Sequence, residues 1–250
     1  MSSSYVKTHI ENQVGYIEFF HPSHNSLPSD VLGKLQDAIV NAGNDDDIKT
    51  IVLKSGGDRT FCAGASFQEL IAIDSEKSGK AFFSGFANLI NTMRKCPKFI
   101  IGRVQGKAVG GGVGLASATD YCLASKFASI KLSELSLAFG PFVIEPAVTR
   151  KIGLSNMTQL SIDATNFKSA EWAKEKGLFV EVFKTIEDLD EAVKAFAEKL
   201  ATYSPDAMKQ MKSVFWTNTE HWDDLLIERA AISGKLALSD FTKETLKRYK

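Results

Sequence analysis

Residues 105–120 read QGKAVGGGVGLASATD, with glycine at 110, 111, 112 and 114 and only small residues close behind. A glycine inside a helix or strand costs roughly 0.5–1 kcal/mol relative to alanine, so a cluster of them implies a use for bare backbone. Two phosphate-binding patterns fail against this stretch. A Walker loop needs Lys-Ser or Lys-Thr after its last glycine, and neither follows here. A dinucleotide fingerprint begun at Gly110 needs Gly or Ala where Leu115 stands, and one begun at Gly112 needs it where Ser117 stands. An anion hole fits better. A glycine-rich turn that opens a helix points unpaired N–H groups outward, and no side chain blocks an approaching oxygen. A second loop, FCAGAS at 61–66, has the same small-residue character and also precedes an expected helix. One N–H from each loop, meeting on a single oxygen, would stabilise an oxyanion.

Outward from these loops the chain alternates. YVKTHI (5–10) and VGYIEFF (14–20) are rich in strand formers and flank a turn at Asn12. Residues 27–43 carry apolar side chains at helical spacing after a Pro-Ser start. A strand is expected over 50–55, a helix over about 77–95, and strands over 98–106, 120–125 and 128–133. Strand and helix alternating in this way predict an α/β fold with a parallel, helix-crossed sheet to about residue 150. After 154 nearly everything reads as helix, with LFVEVF (178–183) as the sole strand candidate.

Composition narrows the function classes. The 250 residues are 44% hydrophobic and 24% charged, enough for a sizeable core. Thirty basic residues balance thirty acidic ones, and no basic block supplies the footprint of nucleic-acid binding. No apolar run reaches the roughly 18 residues of a membrane span, and MSSSYVKTHIENQ lacks a signal-peptide pattern. Three cysteines without paired spacing predict reduced thiols and a cytoplasmic protein. Four scattered histidines show no metal-ligand spacing, so neither a metal nor a separate cofactor is expected.

VLKSGGDRTFCAGASFQEL followed about forty residues later by VQGKAVGGGVGLASATDYCLASKFASIKLSELSLAFGP resembles the crotonase (enoyl-CoA hydratase/isomerase) superfamily. The resemblance spans nearly the whole chain. It implies a repeated ββα spiral over residues 1–195 and a C-terminal helical trimerisation region over 196–250, assembled as a homotrimer or hexamer. It also implies an acyl-CoA thioester as the partner, whose enolate is held by the backbone amides of Ala65 and Gly111. Ala63, Ser66 and Gly110 join them as expected substrate contacts.

Fold does not settle chemistry in such a superfamily. Typical hydratases of this kind resemble GGGCELA…PE, with two glutamates. The first matching position here is Gly114, which cannot move a proton; the second is Glu134. One carboxylate suits isomerisation of a 3-enoyl thioester: it takes a proton from C2 and returns it at C4. AFGPFVIEPAVTRKIG also lacks the glycine-rich segment of hydratases and is closer to that of single-glutamate Δ3-Δ2-enoyl-CoA isomerases, matching at Pro141 and Phe142. Gly114, Pro141 and Phe142 are therefore expected at the substrate. The alternatives are a one-glutamate hydratase, a decarboxylase or hydrolase on the same scaffold, and a non-catalytic subunit.

Other candidates read differently. Glu145, before Pro146, should open a helix, and its alternative role is a second acid. Ser66 reads as a helix cap and Asp120 as structural. Cys62 has no His or Lys close in sequence to lower its pKa. His21 and His24 are expected in a solvated turn. Phe82, Phe83 and Phe86 are expected in the core or an interface, with the acyl pocket as the alternative.

Overall fold

The structure, a computed structural model, describes residues 3–248. The chain opens with an antiparallel hairpin of β1 (Tyr5–Glu11) and β2 (Val14–Phe20). Asn12 and Gln13 both take positive φ, 51° and 65°, as a two-residue turn that matches strand twist requires. Helix α1 (Ser29–Asn44) then carries the chain to β3 (Thr50–Ser55), which lies parallel to β2. Further parallel strands follow: β5 (Ile100–Val104) beside β3, β7 (Tyr121–Ser125) beside β5, and β10 (Glu181–Phe183) beside β7. The six-stranded sheet therefore runs β1-β2-β3-β5-β7-β10.

Side-chain alternation sends neighbouring residues to opposite faces of this sheet. Ile51, Leu53 and Ile100 join the main core with α1 and with α3 (Glu76–Lys95). Val14, Tyr16, Val52, Ile101 and Leu123 point the other way. They pack under Leu189, Val193, Ala197 and Ala201 of α7 (Ile186–Ala201). Strands covered on both faces should read as continuous apolar runs, and every residue of β5 is buried.

A second, four-stranded sheet holds β4 (Thr60–Cys62), β6 (Lys107–Val109), β8 (Ser129–Lys131) and β9 (Lys168–Ser169) in that order. Its first three strands each directly follow a strand of the large sheet. The chain passes from β3 to β4, from β5 to β6 and from β7 to β8, and turns helical after each short strand: α2 (Phe67–Ile71), α4 (Gly111–Ser117), and the 3-10 turn Glu134–Leu137 with α5 (Glu145–Ile162). This is a ββα unit repeated as a spiral. The expected strand over 98–106 ends at Val104, because the chain changes sheets there, and a new strand occupies 107–109. The expected sole late strand is joined by β9, two residues long. Helix α5 opens at Glu145, as the Glu-Pro start leads one to expect, and is broken at Gly153 (φ 75°, ψ 158°).

The tail folds back on its own chain. After α6 (Ala170–Glu175) and α7 come α8 (Pro205–Phe215), α9 (Trp222–Ala237) and α10 (Asp240–Lys247). Trp222, Leu226 and Ala230 belong to the main core. Asp120 anchors α8 and the turn after it: its carboxylate accepts from Lys212 Nζ at 2.8 Å, Trp216 Nε1 at 2.9 Å and the Ile100 amide at 2.8 Å. Helix α9 crosses α3 where Gly79 meets Gly234. A Cβ on Gly79 would lie 2.8 Å from the Gly234 Cα, so the two backbones touch. Among the described residues no helix is long and apolar enough to cross a membrane.

Candidate active site

Two loops leave neighbouring strands of the small sheet, since β4 and β6 are hydrogen-bonded partners. Residues 63–66 follow β4, and Gly110 follows β6 and precedes α4. Gly64 takes φ 88°, and a Cβ there would sit 3.0 Å from the Val109 carbonyl oxygen and 3.3 Å from the Gly111 nitrogen. Only glycine lets the loops come this close. Gly110 takes φ 55°, ψ −120°, a turn that starts α4 at Gly111. No backbone hydrogen bond among the described residues uses the amide of Ala65 or of Gly111. Gly111 is the first helical residue, where an amide has no intrahelical acceptor.

Both loops border an apolar cavity that encloses about 800 Å³, part of it open to solvent. Ala63, Ala65, Gly110, Gly111, Glu134, Pro141 and Phe142 all line it. Glu134 enters from the 3-10 turn after β8. Ala138 closes that turn in the left-handed region (φ 70°), and the Phe139 amide donates back to the Glu134 carbonyl at 3.2 Å. The chain is thereby turned across the cavity mouth. A Cβ on Gly110 would lie 2.9 Å from Glu134 Oε1, so the carboxyl rests against the glycine loop. Glu134 Oε2 is buried without a hydrogen-bond partner. Burial pushes the Glu134 carboxyl up to about 7, into the range where a group can both take and release a proton near neutrality. Among the described residues it is the only ionisable side chain that lines the cavity.

Two residues expected at the substrate are elsewhere. Gly114 is buried behind the cavity, because the Ile144 side chain fills the space in front of it. A Cβ on Gly114 would lie 2.7 Å from the Ile144 Cβ. Ser66 is not in the lining either; its hydroxyl caps α2, accepting from the Glu69 amide at 3.3 Å. Glu145 opens α5 and is bound to Thr149 Oγ1 and to Arg229 of α9, away from the cavity lining. Cys62 is buried, and burial pushes its thiol up to about 12, which removes it as a nucleophile at neutral pH.

Sequence reasoning missed part of the cavity. Phe67 and Leu70 from α2, Leu137 and Phe139 from the turn, and Ser233 from α9 all line it. Phe82, Phe83 and Phe86 line it as well, although their helical spacing reads as core. Ser233 lies about a hundred residues from any other lining residue in the chain. A pair of isolated glycines at 79 and 234, each inside a helical pattern, was the available sign that two helices cross closely there.

Residues 9–249 match the enoyl-CoA hydratase/isomerase family. The chain is 27% identical over 231 residues to the peroxisomal Delta(3,5)-Delta(2,4)-dienoyl-CoA isomerase of Arabidopsis thaliana, covering 86% of this chain and 81% of that one. It is 28% identical to the short-chain-enoyl-CoA hydratase of Clostridium acetobutylicum, covering 81% and 77% of the two chains. Its fold is similar to that of the enoyl-CoA hydratase from Bacillus halodurans, with a TM-score of 0.91 at 21% identity over 98% of this chain and all of that one. The chain belongs to the enoyl-CoA hydratase/isomerase family, and so to the enzymes of the crotonase superfamily.

Proposed function

We propose that the protein isomerises 3-enoyl-CoA to 2-enoyl-CoA, with Glu134 as the single proton shuttle. The thioester oxygen accepts from the amides of Ala65 and Gly111. The Glu134 carboxylate removes a proton from C2, the electron pair spreads over the dienolate held by the two amides, and the same carboxyl returns the proton at C4. The observation that carries this reading is that, among the described residues, Glu134 is the only ionisable side chain in the cavity lining, while Ile144 occupies the space beside Gly114. Hydration needs a group to hold the attacking water as well as one to move the proton, and the lining offers no second carboxylate. A groove lined by Arg59 and Lys107, with Asp58 also in the lining, shares Ala63 with the cavity. Its two cations would face the phosphates of coenzyme A if the thioester leaves the cavity on that side.

The likeness to the clostridial hydratase favours a second reading, a hydratase that works with one glutamate. Offering the protein 2-enoyl-CoA and 3-enoyl-CoA in parallel separates the two. Isomerisation is expected to dominate, with deuterium from C2 partly recovered at C4. Fast hydration of crotonyl-CoA without isomerisation would replace the first reading with the second.

A further inference from the structure

Beyond Glu134 the cavity wall is built from phenylalanine. Phe82 and Phe83 meet edge to face at 4.9 Å and 86°, and Phe83 meets Phe139 at 5.4 Å and 70°. This geometry sets the positive ring edge against the negative ring face. The outer rungs of this ladder, Phe82 and Phe139, are only 8% and 6% exposed, and the buried Ala237 of α9 and Leu246 of α10 share their cluster. The Thr242 hydroxyl of α10 lies between two carbonyl acceptors, Leu236 at 2.8 Å and Ala138 at 3.2 Å, and so ties α10 to the turn at Ala138. Phe83, the middle rung, is half-buried and lines the cavity.

Among the described residues no cation lines this wall; its polar side chains apart from Glu134 are Ser133 and Ser233. Arg229, whose guanidinium reaches the 138–145 segment, is taken up by the Glu145 carboxylate and the Phe142 carbonyl. An acyl group that ends in a carboxylate would bury that charge without a partner and near Glu134, which is strongly unfavourable. An apolar chain meets no such penalty and gains about fourfold in affinity for each buried methylene, until it reaches the ladder.

We propose that Phe83 is the specificity-determining residue of this cavity: the site admits an uncharged acyl chain, and the Phe83 ring ends it. This rests on the acyl-thioester reading above. The test uses saturated thioesters, which bind without reacting. Calorimetry would compare butyryl-, octanoyl-, palmitoyl- and glutaryl-CoA on the wild-type protein, on Phe83→Ala and on the milder Phe83→Leu. On the wild type, octanoyl-CoA should bind more tightly than butyryl-CoA, palmitoyl-CoA no more tightly than octanoyl-CoA, and glutaryl-CoA at least about a hundredfold more weakly than octanoyl-CoA. Phe83→Ala should shift the palmitoyl-to-octanoyl affinity ratio by about tenfold or more toward palmitoyl, with Phe83→Leu between; if the alanine variant does not fold, Phe83→Leu carries the comparison. Glutaryl-CoA binding as well as butyryl-CoA, or an unchanged palmitoyl-to-octanoyl ratio in the folded variants, would overturn the proposal and leave the acyl-thioester reading standing. Failure of every thioester to bind the wild type would overturn both.

Discussion

The proposed chemistry rests, at the scale of single residues, on Glu134 and Gly111, and each makes a separable prediction. Proline at 111 deletes the amide, but any side chain there also meets the Phe86 ring, 2.6 Å from a Cβ at that position. Gly111→Ala carries the same crowding and keeps the N–H. Turnover of Gly111→Pro is therefore expected to fall at least about a hundredfold below that of Gly111→Ala, the usual loss for one oxyanion donor. Equal rates in two folded variants would remove Gly111 from the hole. For Glu134, burial holds the native carboxyl at about 7 against 4.5 unperturbed. Between those values the unfolded chain is ionised while the native one keeps its proton, so folding takes up a proton and stability drops as pH rises. The loss is about 1.4 kcal/mol per pH unit, on the order of 3 kcal/mol in all. Its stabilising share is complete below about pH 4.5 and gone above about 7. Glu134→Gln should accordingly gain stability relative to wild type across that window, as denaturant titrations at pH 4.5 and 8 would show. Its turnover should be depressed at least about a hundredfold, the lower range for a general base. In the proposed mechanism the ionised carboxylate is the base, so the wild-type kcat/KM should climb with pH to a plateau above about 7.

At the scale of elements, α9 matters because it brings Ser233 into the cavity wall and Arg229 to the loop beside it. Its seat on α3 depends on the backbone contact at Gly79 and Gly234. Gly234→Val should lift the helix and destabilise the protein by about 1–3 kcal/mol, as overpacking does. It should also weaken acyl-thioester binding more than Val at the exposed Ile232 does, which calorimetry on the two variants would compare. The elements differ in how plainly the sequence announces them. The hairpin at Asn12 and the glycine loops are local signals, turn chemistry and bare backbone, whereas Glu134 is marked by the resemblance to the family's second carboxylate position. Strands β4, β6 and β9 are two or three residues long and draw their hydrogen bonds from strands far along the chain, so no periodicity marks them. Phe82, Phe83 and Phe86 follow a helical repeat that buried core and cavity wall share, and periodicity cannot tell those apart. The filling of the Gly114 notch by Ile144 is a tertiary event that an aligned glycine only hints at.

For the whole molecule, the buried cluster around Asp120 joins the middle of the chain to its tail. Removing the carboxylate would leave the Lys212 ammonium, nearly fully buried, without its charge partner. Asp120→Ala is expected to cost about 3–5 kcal/mol, read as a lowered midpoint in denaturant, and to release α8 first in hydrogen exchange. A homotrimer or a hexamer of two trimers is the expected assembly, and sedimentation velocity at micromolar concentration would detect it. A persistent monomer would mean that the helices which dock on their own core here have no second task between subunits.

The wedge of Ile144 against Gly114 also bears on how such a protein could change its reaction. Acquiring a second carboxylate at 114 requires the isoleucine to leave first. Shrinking Ile144 alone opens a void and costs roughly 2–5 kcal/mol if cut to alanine; Gly114→Glu alone drives a charged side chain into filled space. Each single step costs stability, and only the double change could place a second acid in that space. On the one-acid reading, a change to two-acid chemistry would therefore need both substitutions together.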